Sequence, residues 1–341
     1  MLIYEAYGTT QKVLSADSLQ NFNQVQFQIV KPKEKISFTD NISALFKKVI
    51  KMSCSACNSV DFEKKIYDHH HIHITTEEEG FEFINKNVPQ QYIFKGLVEV
   101  CSKCGHGELA TRLSPSKIAE YYDRAFWGKS NLNQRVNDAV LGKFSSTHTA
   151  RAKRQREFIN SFLDISAISS VLEIGAGDAL LTRELQSHTP SKVKFDVCEP
   201  GEHWLPYYNK YNIEKAANFF PFESEKKYDL IVNSHWLEHV QDVNKTFLQL
   251  SQILKPKGHL MIEVPNTAHN YWRLRVRDTP HIHFFTVQSL NTFATKAGFE
   301  VIEIGEFGIS FEEYCDGKKP DYDELGKNEK GYSVVALLRK V

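Results

Sequence analysis

The sequence has no excess of charge of either sign. Its 42 Lys and Arg residues equal its 42 Asp and Glu residues, so the formal net charge is zero at pH 7. A protein that binds nucleic acid through a broad electrostatic surface usually carries a clear positive excess. The balance therefore argues against nucleic acid as a partner, although it leaves room for a local basic patch.

Long apolar runs are also absent. No stretch approaches the roughly 20 apolar residues of a membrane-spanning helix, and the first residues contain Glu5 and no apolar core of signal-peptide length. We therefore expect a cytoplasmic protein with no membrane partner. Thiols are reduced in that compartment, so closely spaced cysteines indicate a metal site before a disulfide.

Four of the six cysteines form two C-x-x-C pairs, Cys54/Cys57 and Cys101/Cys104. Structural zinc takes four thiolate or imidazole ligands in a tetrahedron, usually from two short chelating turns. One pair alone also fits a redox motif, whereas two pairs favour zinc. The run 69-HHHIH-73 offers further imidazoles, but four thiolates already fill the shell, and we interpret this run as an exposed strand.

Changes in composition divide the chain into four regions, 1–50, 51–113, 114–160 and 161–341. The first is an N-terminal extension, the second carries the cysteine pairs, and the third is a helical linker or lid. Its aromatic segment 121-YYDRAFWG-128 fits either a wall of the acceptor site or a packed core. In the last region strands alternate with helices, which predicts a doubly wound α/β domain with its ligand at the carboxyl ends of the strands.

A glycine-rich turn follows the first of these strands, in 170-SVLEIGAGDALLTREL-185. Gly175 and Gly177 let the backbone approach a ligand where a side chain would clash. Leu180 stands at the third glycine position of a dinucleotide fingerprint, and the Gly-Lys-Ser/Thr end of a phosphate loop is missing. The turn therefore lacks both phosphate-binding signatures.

Carboxylates surround this turn. Glu173 precedes the first glycine by two residues, and Glu199 ends the next strand in 196-DVCEP-200. Carboxylates accept hydrogen bonds from ribose hydroxyls and pair with an ammonium group, but they repel a pyrophosphate. A ligand with a ribose, an amino group and a cationic centre therefore fits this edge better than NAD or ATP.

The motifs resemble those of the class I S-adenosylmethionine-dependent methyltransferases over roughly residues 160–341. VLEIGAGDA is similar to the first motif of the family, CEP to the acidic end of its second strand, and YDLIVNSHWLEHV to its fourth-strand motif. The resemblance implies a Rossmann-like sheet of seven strands with the last strand antiparallel. It also implies S-adenosylmethionine as the cofactor, with Gly175 and Gly177 beside its methionyl part and Glu199 on its ribose hydroxyls. The predicted cofactor-binding residues are Glu173, Gly175, Gly177, Asp178, Glu199, Pro200, Asn233 and His235.

The cysteine-bearing region and 114-SPSKIAEYYDRAFWGKS-130 resemble the small zinc-binding domain that precedes the methyltransferase domain in sugar C-methyltransferases. The similarity covers about residues 50–165. Those enzymes act on nucleotide-linked deoxysugars, which implies a nucleotide-linked sugar or another glycan precursor as the acceptor. Their further C-terminal domain has no counterpart here, and residues 1–50 have no counterpart in the family pattern.

A general base is expected in one of two histidine-bearing segments. The segment 281-HIHFFT-286 resembles a segment of related enzymes, H-x-x-F followed by Ser or Thr, that lies over the active site. An imidazole accepts a proton near neutral pH, so we predict His281 as the base or a substrate ligand and His283 as the next candidate. The alternative is that both histidines cap or pack against the following helix.

The second segment is 233-NSHWLEHV-240. We interpret His235 as a residue of the cofactor pocket, and Glu238 and His239 as structural or pocket residues. The basic stretch 151–156 fits a contact with a phosphate of a nucleotide-sugar and equally a solvated helix face.

Three functions fit the sequence. The first is an S-adenosylmethionine-dependent methyltransferase with a structural zinc, acting on a small molecule. The second is an RNA or protein methyltransferase that uses the zinc module for recognition, which the zero net charge disfavours for RNA. The third is a zinc-bearing scaffold with an inactive fold, which the complete set of glycines and carboxylates disfavours. We therefore predict the first function.

Overall fold

The computed structural model describes residues 53–66, 97–109, 116, 129–269, 271, 281–318 and 326–341. All of them belong to the compact unit Met52–Val341. Three sequence-based interpretations lie outside the described residues: the N-terminal extension 1–50, the strand at 69–73 and the aromatic segment 121–128. Within the described part of the chain, no helix has both the length and the apolar character that a membrane span requires.

The elements before the large sheet are β1 (Phe62–Ile66), β2 (Leu97–Cys101), β3 (Gly107–Leu109), α1 (Lys129–Val140) and α2 (Ser146–Asn160). The next are β4 (Ser170–Ile174), α3 (Leu180–Ser187), β5 (Lys194–Cys198), α4 (Leu205–Lys210), β6 (Glu214–Ala217), β7 (Tyr228–Ser234) and α5 (Val243–Ile253). The last are β8 (Leu254–Pro265), β9 (His283–Phe284), α6 (Val287–Lys296), β10 (Phe299–Phe307), α7 (Phe311–Cys315) and β11 (Ser333–Lys340).

Seven strands form one mixed sheet in the order β10-β11-β8-β7-β4-β5-β6. Strand β4 runs parallel to both β5 and β7, whereas β11 is antiparallel to β8 and β10. The chain passes from β4 to β5 and β6 on one side and then returns to place β7 on the other side. The switch point therefore lies at β4, and the predicted doubly wound sheet with an antiparallel last strand is confirmed.

Helices cover both faces of this sheet. On β7, Ile231 packs into the core that contains α5 and α6, while its neighbours Leu230 and Val232 pack into the core that contains α2 and α3. Alternate side chains of a strand point to opposite faces, so apolar residues in succession are required where both faces are covered. Each of these side chains is fully buried, and such burial stabilises the fold by roughly 1.5–3 kcal/mol per residue.

Among the described residues, four strands form a second sheet in the order β1-β2-β3-β9. Its last strand comes from the C-terminal half of the chain, since Gly107 and Glu108 pair antiparallel with Phe284 and His283. The buried Cys101 and Cys104 also share a hydrophobic core with residues of α5 and α6. The cysteine-bearing segment is therefore packed against one face of the large sheet through strand pairing and a common core.

Candidate functional site

The carboxyl ends of β4, β5 and β7 meet at one edge of the large sheet. In register, Ile174 pairs with Cys198 on one side and with Asn233 on the other. The residues that follow these three positions therefore lie side by side. This brings the glycine turn, the carboxylate of Glu199 and the end of β7 at Ser234 to a single place.

The glycine turn has a backbone that an ordinary residue adopts at a cost. Gly175 has φ of +71°, and a Cβ built on it lies 2.9 Å from the side chain of Trp236. Gly177 also has a positive φ, of +51°, and its carbonyl oxygen accepts a hydrogen bond of 2.5 Å from the Tyr208 hydroxyl. At Gly175 a side chain is thus disfavoured both by conformation and by contact.

Two buried carboxylates flank the turn. Glu173 accepts hydrogen bonds from the backbone N–H and the hydroxyl of Thr182, at 3.0 and 2.6 Å. Glu199 accepts hydrogen bonds from the backbone N–H groups of Gly177 and Gly201, at 2.9 and 3.2 Å. Burial raises the pKa of Glu173 to about 7 against the effect of the Thr182 bonds. Burial also raises the pKa of Glu199, although both backbone bonds favour its ionised form.

The turn and both carboxylates line a cavity of about 790 Å³. Pockets for small ligands typically enclose about 300–1,000 Å³, so this volume suits a cofactor together with an acceptor. Seven of the eight predicted cofactor residues are in its lining: Glu173, Gly175, Gly177, Asp178, Glu199, Pro200 and His235. The eighth, Asn233, is fully buried beneath the edge of the sheet and is not in the lining.

A polar network that the sequence analysis missed lies at one side of the cavity. Gln155 of α2 donates hydrogen bonds to the Ser234 hydroxyl at 2.9 Å and to the Glu263 carboxylate at 2.6 Å. Glu263 lies 3.9 Å from Arg151 and 3.6 Å from His235 Nε2. One signal was present in the sequence, because Glu263 is the single acidic residue in the apolar run 260-LMIEV-264.

The charges of this network stabilise one another. Burial would raise the pKa of Glu263, but the neighbouring imidazole of His235 and the charge of Arg151 lower it to about 2. For His235, burial would lower the pKa, yet the carboxylates of Glu238 and Glu263 raise it. The network therefore favours an ionised Glu263, and the two carboxylates raise the basicity of His235.

The two histidines predicted as catalytic lie in different surroundings. His281 Nε2 is 3.7 Å from the Glu238 carboxylate, and its ring contacts that of His239, with 4.7 Å between centroids. His239 lines the cavity. His283 is only 2% exposed and lies on β9, where its Nδ1 is 3.3 Å from His106 Nε2. His281 thus lies behind His239, which lines the cavity, whereas the side chain of His283 contacts His106 of the cysteine-bearing segment.

The four cysteines of the two pairs come together in space. The Cys54 and Cys104 sulfurs are 3.6 Å apart, the Cys57 and Cys101 sulfurs are 3.5 Å apart, and all four lie within 4.8 Å of one another. A tetrahedral zinc with Zn–S bonds of about 2.3 Å separates its sulfurs by about 3.8 Å. The donor type, number and spacing of these thiols therefore fit a structural zinc site.

Comparisons with known proteins agree with this geometry. Residues 146–304 match the family model described as a methyltransferase domain. A malonyl-[acyl-carrier protein] O-methyltransferase of Acetivibrio thermocellus is 25% identical over 138 residues, which cover 38% of this chain and 49% of that protein. A ubiquinone biosynthesis O-methyltransferase of Rickettsia conorii is 26% identical over 126 residues, which cover 36% of this chain and 43% of that protein.

The chain thus spans about half the length of these curated relatives or less. Among solved structures, that of the mitomycin 7-O-methyltransferase MmcR aligns with a TM-score of 0.47 at 12% identity. That alignment covers 66% of this chain and 60% of the other chain. Taken with the strand order and the glycine turn, the family match identifies residues 146–304 as a class I methyltransferase domain of the S-adenosylmethionine-dependent type.

Proposed function

We propose that the protein transfers a methyl group from S-adenosylmethionine to a small-molecule acceptor. The observation that carries this proposal is the placement of two buried carboxylates around the glycine turn. Glu173 and Glu199 end neighbouring parallel strands and line one cavity together with Gly175 and Gly177. This edge offers hydrogen-bond acceptors and negative charge, which a ribose and an amino acid group with a cationic sulfur require.

Each part of the turn has a distinct task in holding the cofactor. Glu199 would accept hydrogen bonds from the ribose hydroxyls, since its position is fixed by the N–H groups of Gly177 and Gly201. The lack of a side chain at Gly175 lets Trp236 pack against the turn, and the backbone of the turn would lie beside the methionyl part. The cofactor supplies an activated methyl group, so the protein mainly has to orient the acceptor and exclude water.

The acceptor end of the cavity is formed by the loop after β7. His235 and His239 line the cavity there, and His281 lies directly behind His239. We propose that this histidine cluster activates the acceptor, and that His281 takes part in it. We propose no such role for His283 of β9, because its ring is buried against the ring of His106.

The acceptor we favour carries an oxygen nucleophile and a negative charge. Both curated relatives are named as O-methyltransferases. Three cationic side chains line the cavity, namely those of Arg135, Arg151 and Lys245, and guanidinium and ammonium groups pair well with phosphate. A nucleotide-linked sugar or a similar glycan precursor combines hydroxyl groups with phosphates, so it remains the acceptor that we propose.

We also propose that Cys54, Cys57, Cys101 and Cys104 bind a structural zinc. The close approach of four thiols supports this, as does their burial in the core shared with α5 and α6. Zinc would join the turn of Cys54 and Cys57 to the turn of Cys101 and Cys104, in addition to the pairing of β1 with β2.

The proposal is tested by isothermal titration of the full chain with S-adenosylmethionine, followed by assays of S-adenosylhomocysteine formation. The acceptors compared would be a nucleotide-linked sugar, the same sugar without the nucleotide, and a short RNA. We expect one cofactor per chain and turnover that requires the nucleotide-linked sugar. The variant His281→Gln should lose about 10²- to 10⁴-fold in kcat and bind the cofactor as before. A chain that binds no S-adenosylmethionine would rule out the proposed function.

A further inference from the structure

The carboxylate of Glu238 is buried, and its hydrogen-bonding capacity is not satisfied by the described residues. It lies on the short helical turn Leu237–His239 that follows β7, and its side chain is 1% exposed. Neither of its oxygens has a hydrogen-bond partner among the described residues. Buried carboxylates without partners are rare because desolvation of the charge is costly. The environment of this carboxylate therefore favours a cation bound close to it.

Histidine nitrogens surround one oxygen of this carboxylate. His235 Nδ1, His281 Nε2 and His239 Nε2 lie 3.6, 3.7 and 3.8 Å from Glu238 Oε1. Donor atoms of Glu238, His239 and His281 all fall within 4.8 Å of one another. These distances exceed those of hydrogen bonds, so the groups converge on a common space between them.

We propose that Glu238, His239 and His281 bind a divalent metal ion at the edge of the cofactor cavity. Metal–ligand bonds of about 2.0–2.1 Å in a tetrahedron place neighbouring donors about 3.4 Å apart. The carboxylate–imidazole distances exceed this by only a few tenths of an ångström. Two imidazoles with one carboxylate form the ligand set of zinc sites that keep an open position, and the same set also suits iron, cobalt and manganese.

His235 occupies the position of a supporting residue. Its Nδ1 faces Glu238 and its Nε2 faces Glu263, both at 3.6 Å. Groups that contact a ligating carboxylate in this way fix its orientation and tune the affinity for the metal. The network of Gln155 and Arg151 around Glu263 therefore extends to the proposed metal site.

The site is separate from the four thiols and differs from them in donor type. Its open position would face the cavity, because His239 lines that cavity. A bound metal would withdraw electron density from a hydroxyl oxygen that it coordinates, so that the hydroxyl would release its proton to solvent more readily. That oxygen would then bond to the methyl carbon while the S–CH₃ bond breaks, which leaves S-adenosylhomocysteine. This use of the site rests on the proposed methyl transfer to oxygen, whereas metal binding itself does not. With the metal in place, His281 acts as a ligand and not as the base.

The first test counts zinc ions on the full chain by native mass spectrometry, after loading with excess zinc chloride and buffer exchange. We expect two zinc ions on the wild-type chain, one on Glu238→Gln and two on the control Glu184→Gln. Glu184 pairs with Arg156 at 2.8 Å away from the cavity lining, so the control removes a carboxylate of another site. One zinc on the wild-type chain, or two on Glu238→Gln, would overturn the proposal.

The second test uses two further variants to distinguish loss of the metal site from misfolding of Glu238→Gln. His281→Gln keeps the buried carboxylate and should also retain a single zinc, with the circular dichroism of the wild-type chain. His235→Asn keeps both imidazole ligands, and its affinity for the second zinc should fall about 10- to 100-fold. Retention of the second zinc with wild-type affinity by both variants would contradict the assignment.

Cobalt distinguishes the two sites by their ligands. The first equivalent of Co²⁺ on the metal-free chain should give strong near-ultraviolet thiolate charge transfer, and the second only weak visible bands typical of nitrogen and oxygen ligands. Charge transfer that grows with the second equivalent would place that metal on thiols and overturn the proposal. A chain that binds the second metal yet transfers no methyl group would refute the proposed function and leave the metal site standing.

Discussion

The carboxylate of Glu199 accepts a hydrogen bond of 2.9 Å from the backbone N–H of Gly177. This contact joins the end of β5 to the turn after β4, across 22 residues of sequence. The same carboxylate accepts a second bond, from Gly201. The turn thereby holds the carboxylate in place before any ligand arrives, and such preorganisation lowers the entropic cost of binding.

We expect Glu199→Gln to weaken S-adenosylmethionine binding about tenfold or more, since hydrogen bonds to a charged group are worth about 1.5–3 kcal/mol. The amide oxygen can still accept the Gly177 bond, and only the longer bond from Gly201, at 3.2 Å, is lost, so the fold should persist. The matched control is Glu202→Gln, three residues along the chain on an exposed position. Isothermal titration measures both variants. Equal affinities of wild type and Glu199→Gln would show that the carboxylate does not contact the cofactor.

A comparison of alanine variants at Gly175 and Gly142 distinguishes the effect of backbone strain from that of a steric clash. Their φ angles are +71° and +72°, but a Cβ at Gly175 meets Trp236 at 2.9 Å, while one at Gly142 meets nothing within 4 Å. Both alanine variants should lose about 1–2 kcal/mol of unfolding free energy from conformation alone. Only Gly175→Ala should also lose cofactor binding, because Trp236 must shift into the cavity that it lines.

Urea unfolding and cofactor titration of the two glycine variants give the measurement. Similar cofactor affinities for Gly175→Ala and Gly142→Ala would mean that the space beside Trp236 is not used by the ligand. A much larger loss of unfolding free energy for Gly142→Ala than for Gly175→Ala would contradict the open space found around Gly142.

Glu173 should make the unfolding free energy depend on pH. Its pKa is about 7 in the folded chain, because burial outweighs the Thr182 bonds, against an ordinary value of 4.5. Between these two values the unfolded chain has released a proton that the folded chain retains, so stability falls as the pH rises from 5 to 8. The shift corresponds to a loss of about 2.5 kcal/mol over that range.

Glu173→Gln provides the reference for this dependence. Both Thr182 bonds go to one oxygen of Glu173, so the amide oxygen of glutamine can accept them and the variant lacks only the titration. We expect the wild type to lose stability relative to the variant as the pH rises, in urea unfolding without cofactor. A constant difference between the two chains from pH 5 to 8 would show that Glu173 does not titrate in this range.

Local patterns in the sequence predicted the large sheet and one side of its site. Apolar runs such as 230-LIV-232 predict strands that are buried on both faces, and the glycine turn predicts the switch point of the sheet. Because parallel strands end at the same edge, Glu173 and Glu199 were expected beside the same ligand, and both line the cavity. These predictions required only the pattern of apolar residues along each strand and the parallel direction of neighbouring strands.

The polar network around Glu263 and the surroundings of the two histidines could not be predicted, because they are formed by contacts between segments far apart in the sequence. Gln155 meets Glu263 across 108 residues, and His283 meets His106 across 177 residues. The first contact depends on how α2 packs on the sheet, which no helical pattern specifies. The second depends on β9, whose two residues are too few for any alternation to show. The surroundings of His281 and His283 therefore emerge only from the fold.

Loss of a cysteine ligand should destabilise the first turn of α6 as well as the cysteine-bearing segment. The carbonyl oxygen of Cys104 accepts a hydrogen bond of 2.7 Å from the hydroxyl of Thr286, the residue that caps α6. We expect Cys104→Ser to lower the unfolding free energy by about 3 kcal/mol or more, as the loss of a bound metal commonly does. Amide hydrogen exchange should accelerate in the first turn of α6 as well.

The matched control for this variant is Cys315→Ser, which removes a thiol of α7 outside the four-cysteine cluster. Thermal unfolding with and without a zinc chelator completes the experiment. Since the chelator removes the same metal, it should lower the Tm of the wild type and of Cys315→Ser but change Cys104→Ser little. A chelator that leaves the wild-type Tm unchanged, or equal destabilisation by the two serine variants, would mean that the thiols stabilise the fold by packing alone.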